Sequence, residues 1–210
     1  MASDPFDTLG FEARFDLDPA DIQRAYLLRA AACHPDLVGA DPERVAEADR
    51  RSAALNTAKA TLLDPETRAR ALLERLGGGG GGGLGDGREL PDGFLMEIME
   101  TRMAVEEAAD SGDAAEMARW RDWVAAERER YIERLGGLFA AVQEVQEVQE
   151  VGDVGEMGEV VEMGDVVEVG DVGVKEGVGG ASVPPENLAE IQRQLNAWRY
   201  IERMLEQIGA

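Results

Sequence analysis

The stretch Asp18–Glu43, DPADIQRAYLLRAAACHPDLVGADPE, decides the fold, because it holds two helix starts and the loop between them. Asp18 can accept from free amide N–H groups, and Pro19 suits the first helical position. From there Ile22, Ala25, Tyr26, Ala30 and Cys33 recur at three- and four-residue spacing, which predicts one buried stripe along a helix. Pro35 ends that helix, since a proline ring disfavours the α region for the residue before it. Asp41-Pro42-Glu43 repeats the start signal, and Val45, Ala48, Ser52, Leu55, Lys59 and Leu62 trace a mostly apolar face on a second, longer helix. The reading is an antiparallel helical hairpin whose loop presents His34-Pro35-Asp36. Three such residues recur by chance in many chains. Their placement between two well-signalled helices is what carries information.

That arrangement is similar to a J domain, the module that drives ATP hydrolysis in DnaK-type chaperones. The flanking residues narrow the resemblance. Phe6–Asp18, FDTLGFEARFDLD, resembles the opening of the HscB family of iron–sulfur cluster co-chaperones, and Leu55–Leu73, LNTAKATLLDPETRARALL, resembles that family's junction between the third and fourth helices. Further on, Phe94–Arg102, FLMEIMETR, is similar to the first helix of the family's C-terminal bundle, and Trp198–Arg203, WRYIER, to its last. These blocks span about residues 5–142 and 186–208 in order. The implied architecture is all-α: a J domain over 1–76, a Gly-rich linker over 77–90, and a C-terminal three-helix bundle over 91–210. An acidic low-complexity insertion interrupts the bundle at about 143–183.

The residues of the second half support a bundle by themselves. Phe94, Leu95, Ile98, Met99, Met103 and Val105 give the first helix an apolar surface wider than one seam needs. Asp113, with Glu116 three residues on, is a capping-box-like start for the second. That helix carries Met117, Trp120, Val124, Glu127, Tyr131, Leu135, Leu138 and Val142 at bundle spacing. Pro184-Pro185-Glu186 opens the third. Leu188, Ile191, Leu195, Trp198, Ile201, Leu205 and Ile208 then alternate three- and four-residue steps, the pattern of a bundle seam.

Two low-complexity runs need separate treatment. Gly77–Gly83 is followed by no Gly-Lys-Ser/Thr and preceded by a helix, so it reads as a linker and not a phosphate loop. From Gln143 to Val172 an acid recurs every third residue, each followed by Val or Met. A period of three matches neither helix nor strand, and five of the ten triplets start with Gly, which costs about 1 kcal/mol each inside a helix. The expectation is a largely disordered acidic insertion, with the second bundle helix continuing a turn or two through the Gly-free part to Val151. It lacks the Asx-rich spacing of a calcium loop.

Composition sets the limits on function. The chain has 210 residues, net charge −22 and 5% aromatics, so its cores are small and a phosphate-tracking surface is not expected. The single cysteine, Cys33, excludes an intramolecular disulfide and a cysteine-based zinc site, and the four-cysteine N-terminal module of some HscB relatives is missing. Cys33 lies on the apolar stripe, so a structural buried thiol is expected. His34 is the only histidine, and no paired carboxylates, metal-ligand cluster or nucleotide loop emerges. No catalytic residue, metal or cofactor is therefore expected, and nor is a membrane or nucleic-acid partner. Residues 1–5 match neither an apolar signal core nor an Arg-rich transit peptide, which makes the cytoplasm the expectation.

The resemblance implies two binding surfaces. His34, Pro35 and Asp36, with Arg24 and Arg29 on the preceding helix, would dock on a DnaK/HscA-type ATPase chaperone. Here the chain departs from the pattern, because Leu37 follows where many J domains have a Lys and the helix is sparsely basic. Leu95, Met96, Met99, Glu100, Arg102 and Tyr200 would hold an IscU-like scaffold. Taken singly, Leu95, Met96, Met99 and Tyr200 fit a core as well as an interface. Delivery of a different client, or a purely structural helical protein, remains the alternative.

Overall fold

The structure is a computed structural model that describes residues 4–33, 41–77, 89–153 and 184–208. These form seven helices and no strand: α1 (Pro5–Leu9), α2 (Pro19–Ala32), α3 (Pro42–Leu63), α4 (Pro65–Leu76), α5 (Phe94–Ser111), α6 (Ala114–Asp153) and α7 (Pro185–Ile208). The all-helical reading holds.

One local device starts the first four helices. Asp4-Pro5, Asp18-Pro19, Asp41-Pro42 and Asp64-Pro65 each place an aspartate at the cap and a proline in the first turn. The carboxylates accept from Phe6 N at 2.8 Å, Ala20 N at 2.7 Å, Glu43 N at 3.0 Å and Thr67 N at 2.9 Å. Each such cap is worth about 1 kcal/mol, and proline loses nothing where the N–H has no helical partner. The bundle starts differently. Asp113 caps α6 through Ala115 N at 2.8 Å and Glu116 N at 3.1 Å, whereas α5 begins at Gly93 with φ +79° and no side-chain cap.

α2 and α3 form the antiparallel hairpin, α1 lies on α3, and α4 continues from α3 to reach α7. Tyr26 Oη donates to Asn56 Oδ1 at 2.8 Å across the hairpin, and Lys59 Nζ stands 4.5 Å from the Tyr26 ring centroid. In the bundle, α6 and α7 run antiparallel: Arg121 donates to Ile208 O, Arg128 to Glu202 and Arg134 to Gln194, one chain ascending as the other descends. α5 covers the groove between them.

The two halves share one continuous hydrophobic core. Phe15, in the loop before α2, stacks on Phe139 of α6 with centroids 5.4 Å apart. Gln143 Nε2 donates to Ala13 O at 2.9 Å beside it. Beneath the ring lies Arg68, whose Nη1 donates to Leu17 O at 3.2 Å and Leu62 O at 3.0 Å. Burial holds the Arg68 guanidinium below its usual range, against the opposing pull of Asp64 and Asp16.

Several sequence expectations need correction. Only Ile22 of the α2 stripe is fully buried, because α2 rests mainly on one neighbour, α3, and Ala25, Tyr26, Ala30 and Cys33 sit at the rim. Cys33 is thus half-buried at the C-cap of α2, not a core thiol. Val45 is exposed, because the first turns of α3 extend past the packed part of the hairpin. Gly77 ends α4 at φ −77°, through N–H to Leu73 O at 2.9 Å, without the left-handed turn usual for glycine there. α6 does continue through the Gly-free triplets, to Asp153. The rest of the acidic insertion, 154–183, and linker residues 78–88 lie outside the described residues.

Candidate functional site

The first candidate surface is the hairpin end. His34, Pro35 and Asp36 lie outside the described residues, as does Leu37, so the structure describes their frame: the C-terminal turns of α2 and the start of α3. Arg24 is exposed and paired with Asp21 at 2.9 Å. Arg29 is folded back against α1. A Cβ added to Gly10 would come within 1.9 Å of Arg29 Nη2, which the flexible arginine could relieve by moving, whereas the φ of +66° at Gly10 is what favours glycine there. Arg24 is thus ion-paired, and Arg29 is half-buried with Nη1 3.5 Å from Ala25 O. What α2 does present to solvent is Leu27, 57% exposed, and Leu28, 70% exposed. Sequence reasoning passed over both, although their absence from the Ile22–Cys33 stripe was the available signal.

The second candidate surface lies on α5. The helix buries Phe94, Ile98, Val105 and Ala108 against α6 and α7. On its other side Leu95 (52%), Met96 (70%), Met99 (58%) and Met103 (69%) stand exposed. Spacings of three and four residues bring these side chains into one apolar stripe. The helical period places Glu100 at one border and Arg102 at the other, and Arg102 Nε is paired with Glu106 at 3.1 Å. Tyr200 of α7 is half-buried, its ring edge-on to Phe94 at 5.8 Å, which sets it beside the start of the stripe. Of the six residues named from sequence, five lie on α5 and Tyr200 lies beside its first turn. Met103, one turn beyond Met99, completes the stripe and was missed as a site residue because its spacing also fitted the core.

The start of α5 is fixed by α7. Asn196 Nδ2 donates to Glu89 O at 2.9 Å, and Arg193 bridges Glu190 at 2.7 Å and Glu89 at 3.5 Å. Hydrogen bonds from Gln194 and Arg193 hold the Glu190 carboxyl below its ordinary range. Among the described residues, no group of three or more His, Cys, Asp or Glu is placed to hold a metal ion. No described helix is long and apolar enough to cross a membrane.

A four-helix N-terminal unit built on a helical hairpin, joined to a three-helix bundle with an apolar stripe on its outer face, is consistent with a J domain followed by a C-terminal helical domain. The HSCB C-terminal oligomerisation domain matches residues 90–153, which contain α5 and α6. A co-chaperone protein HscB homolog from Bordetella petrii is 34% identical over 154 residues, covering 70% of this chain and 88% of the relative. Two solved structures share the fold. The chaperone HscB from Vibrio cholerae superposes with a TM-score of 0.65 at 19% identity, over 99% of this chain and 96% of the other. The human co-chaperone protein HscB gives 0.54 at 21% identity, over 99% and 83%. The chain belongs to the HscB family of co-chaperones.

Proposed function

We propose that this protein stimulates the ATPase of a DnaK/HscA-type chaperone and delivers to it an IscU-like scaffold for iron–sulfur cluster assembly or transfer. The observation that carries the reading is the α5 stripe. Four large apolar side chains stand in water, flanked by Glu100 and Arg102, within the segment matched by the family domain. Leaving such a patch unpartnered is unfavourable, and a protein partner is the usual reason for one.

The chemistry belongs to the partners. His34, Pro35 and Asp36 would engage the chaperone at the hairpin tip, and Arg24 and Arg29 would adjust the approach from α2. Leu95, Met96, Met99 and Tyr200 would hold the scaffold by apolar burial, with Glu100 and Arg102 fixing its register at the borders. Because the Phe15–Phe139 stack and the Gln143–Ala13 bond join the halves, a client on α5 would be carried at a defined distance from the hairpin tip. Delivery then amounts to raising the local concentration of client at the chaperone.

The test is steady-state ATP turnover by the cognate chaperone with the scaffold and this protein present. His34→Gln should abolish the stimulation while helical content stays unchanged. Persisting stimulation would remove the hairpin loop from the mechanism. A pull-down with the full chain that recovers a different client and no IscU-like scaffold would favour the other delivery role.

A further inference from the structure

We propose that the α5 stripe is an oxidation-gated docking surface, on which conversion of Met96, Met99 and Met103 to sulfoxides releases the client. The inference rests on the docking role given above and adds its regulation. Five methionines are described: Met96, Met99, Met103, Met117 and Met204. Met204 is buried in the α6–α7 seam and Met117 is half-buried on α6. The three exposed ones all stand on the outer face of a single helix, in one stripe with Leu95. Leucine would supply the same apolar burial and volume. What a thioether adds is a polarizable, adaptable surface and a reactive lone pair open to solvent.

The step is balanced. The thioether sulfur attacks the terminal oxygen of a peroxide, giving up two electrons. The O–O bond breaks, an S–O bond forms, and water leaves. Reversal takes two thiol equivalents, which end as a disulfide and water, under a methionine sulfoxide reductase.

The surroundings make the product incompatible with docking. A sulfoxide oxygen is a strong acceptor that must keep a donor. Along α5 itself the stripe is accompanied by Glu97, Glu100, Glu106 and Glu107, and the one cation of that helix, Arg102, is already paired with Glu106 at 3.1 Å. The new oxygens would therefore be hydrated, and covering them with a client would strip that water without replacement. The helix itself is untouched, since none of the three side chains packs in the core.

The experiment treats the full chain with hydrogen peroxide, removes the oxidant, and titrates the purified IscU-like scaffold. Peptide mapping should place sulfoxide on Met96, Met99 and Met103 ahead of Met204. Affinity should fall at least tenfold with circular dichroism unchanged, and sulfoxide reductase with a thiol should restore it. Dithiothreitol alone should not, which separates the effect from oxidation of Cys33. A chain carrying Met157→Leu and Met163→Leu should respond identically, since those methionines lie outside the stripe. Binding within twofold of the untreated protein after full oxidation of the three sites overturns the inference alone. Absence of binding by the untreated protein overturns the docking role and the inference with it.

Discussion

α5 and α7 are neighbours in one bundle with comparable apolar content and opposite uses for it. α7 turns Leu188, Ile191, Leu195, Trp198, Ile201, Met204 and Ile208 inward, and among the described residues none of the exposed large hydrophobics lies on it. α5 is apolar on two sides: Phe94, Ile98 and Val105 face the bundle, while Leu95, Met96, Met99 and Met103 face solvent. Apolar side chains that pack a helix and those left in solvent are thus distinguished by the face they occupy, not by their type. Even the starts differ. Pro184-Pro185 opens α7, whereas α5 begins at an uncapped left-handed glycine and is held in place by contacts from α7.

The strongest way to break this comparison is to remove a seam residue. Trp198 is wholly buried, and its Nε1 donates to Glu202 Oε1 at 2.7 Å. Trp198→Ala should cost about 3–5 kcal/mol of stability, read as a lower thermal midpoint or a lower urea midpoint. A change below about 1 kcal/mol would mean that the α6–α7 seam is not the core of the bundle.

The complementary change acts on binding. Replacing Leu95, Met96 and Met99 together with Ala should weaken scaffold affinity by about 2–4 kcal/mol and leave the thermal midpoint nearly unchanged. Alanine also favours the helix, so no loss of helicity is expected. The opposite pattern, a large loss of stability with scaffold affinity intact, would reassign the stripe from partner to core.

How much of this was legible beforehand follows from what each side chain touches. The hairpin and the α7 seam could be read because caps and periodicity act within a few residues, save that the seam buries Met204 where Leu205 was expected. The two faces of α5 could not be separated: Met99 and Met103 fit a core spacing as well as Ile98 does, and only the positions of α6 and α7 decide between them. Phe139 was missed for the same reason, since its partner Phe15 is far away in sequence. The retreat of Arg29 onto Gly10 depends on α1 lying against the hairpin, which no local pattern encodes. Leu27 and Leu28 fall off the Ile22–Cys33 stripe, so their exposure follows from the helical period alone.

A smaller effect probes how α7 positions α5. Asn196 is buried, and its Nδ2 donates to Glu89 O at 2.9 Å, tying the segment before α5 to the seam helix. Asn196→Ala leaves that carbonyl without its side-chain donor and should cost about 1–2 kcal/mol. If α7 sets the placement of α5, scaffold affinity should fall as well, although Asn196 belongs to the seam face. Unchanged affinity with reduced stability would show that α5 keeps its place through Phe94, Ile98 and Val105 alone.

The smallest effect concerns protons at the same junction. Glu190 accepts from Gln194 Nε2 at 2.7 Å and from Arg193 Nη2 at 2.7 Å, and these bonds hold its carboxyl below the ordinary value of 4.5. A carboxylate whose folded-state pKa is depressed stabilises the fold fully above its unfolded pKa and loses that contribution as pH falls through the folded value. Glu190→Gln should therefore destabilise the protein at pH 7, and the difference from wild type should shrink towards zero in acid. With the Glu190 side chain 36% exposed, solvent screening keeps the effect below about 1 kcal/mol. Added salt should reduce it further at neutral pH, because the Arg193 partner is open to counterions. Urea midpoints of the two chains measured at pH 7 and pH 3 provide the check. A difference that stays constant over that range would mean that the charge of Glu190 contributes nothing to the fold.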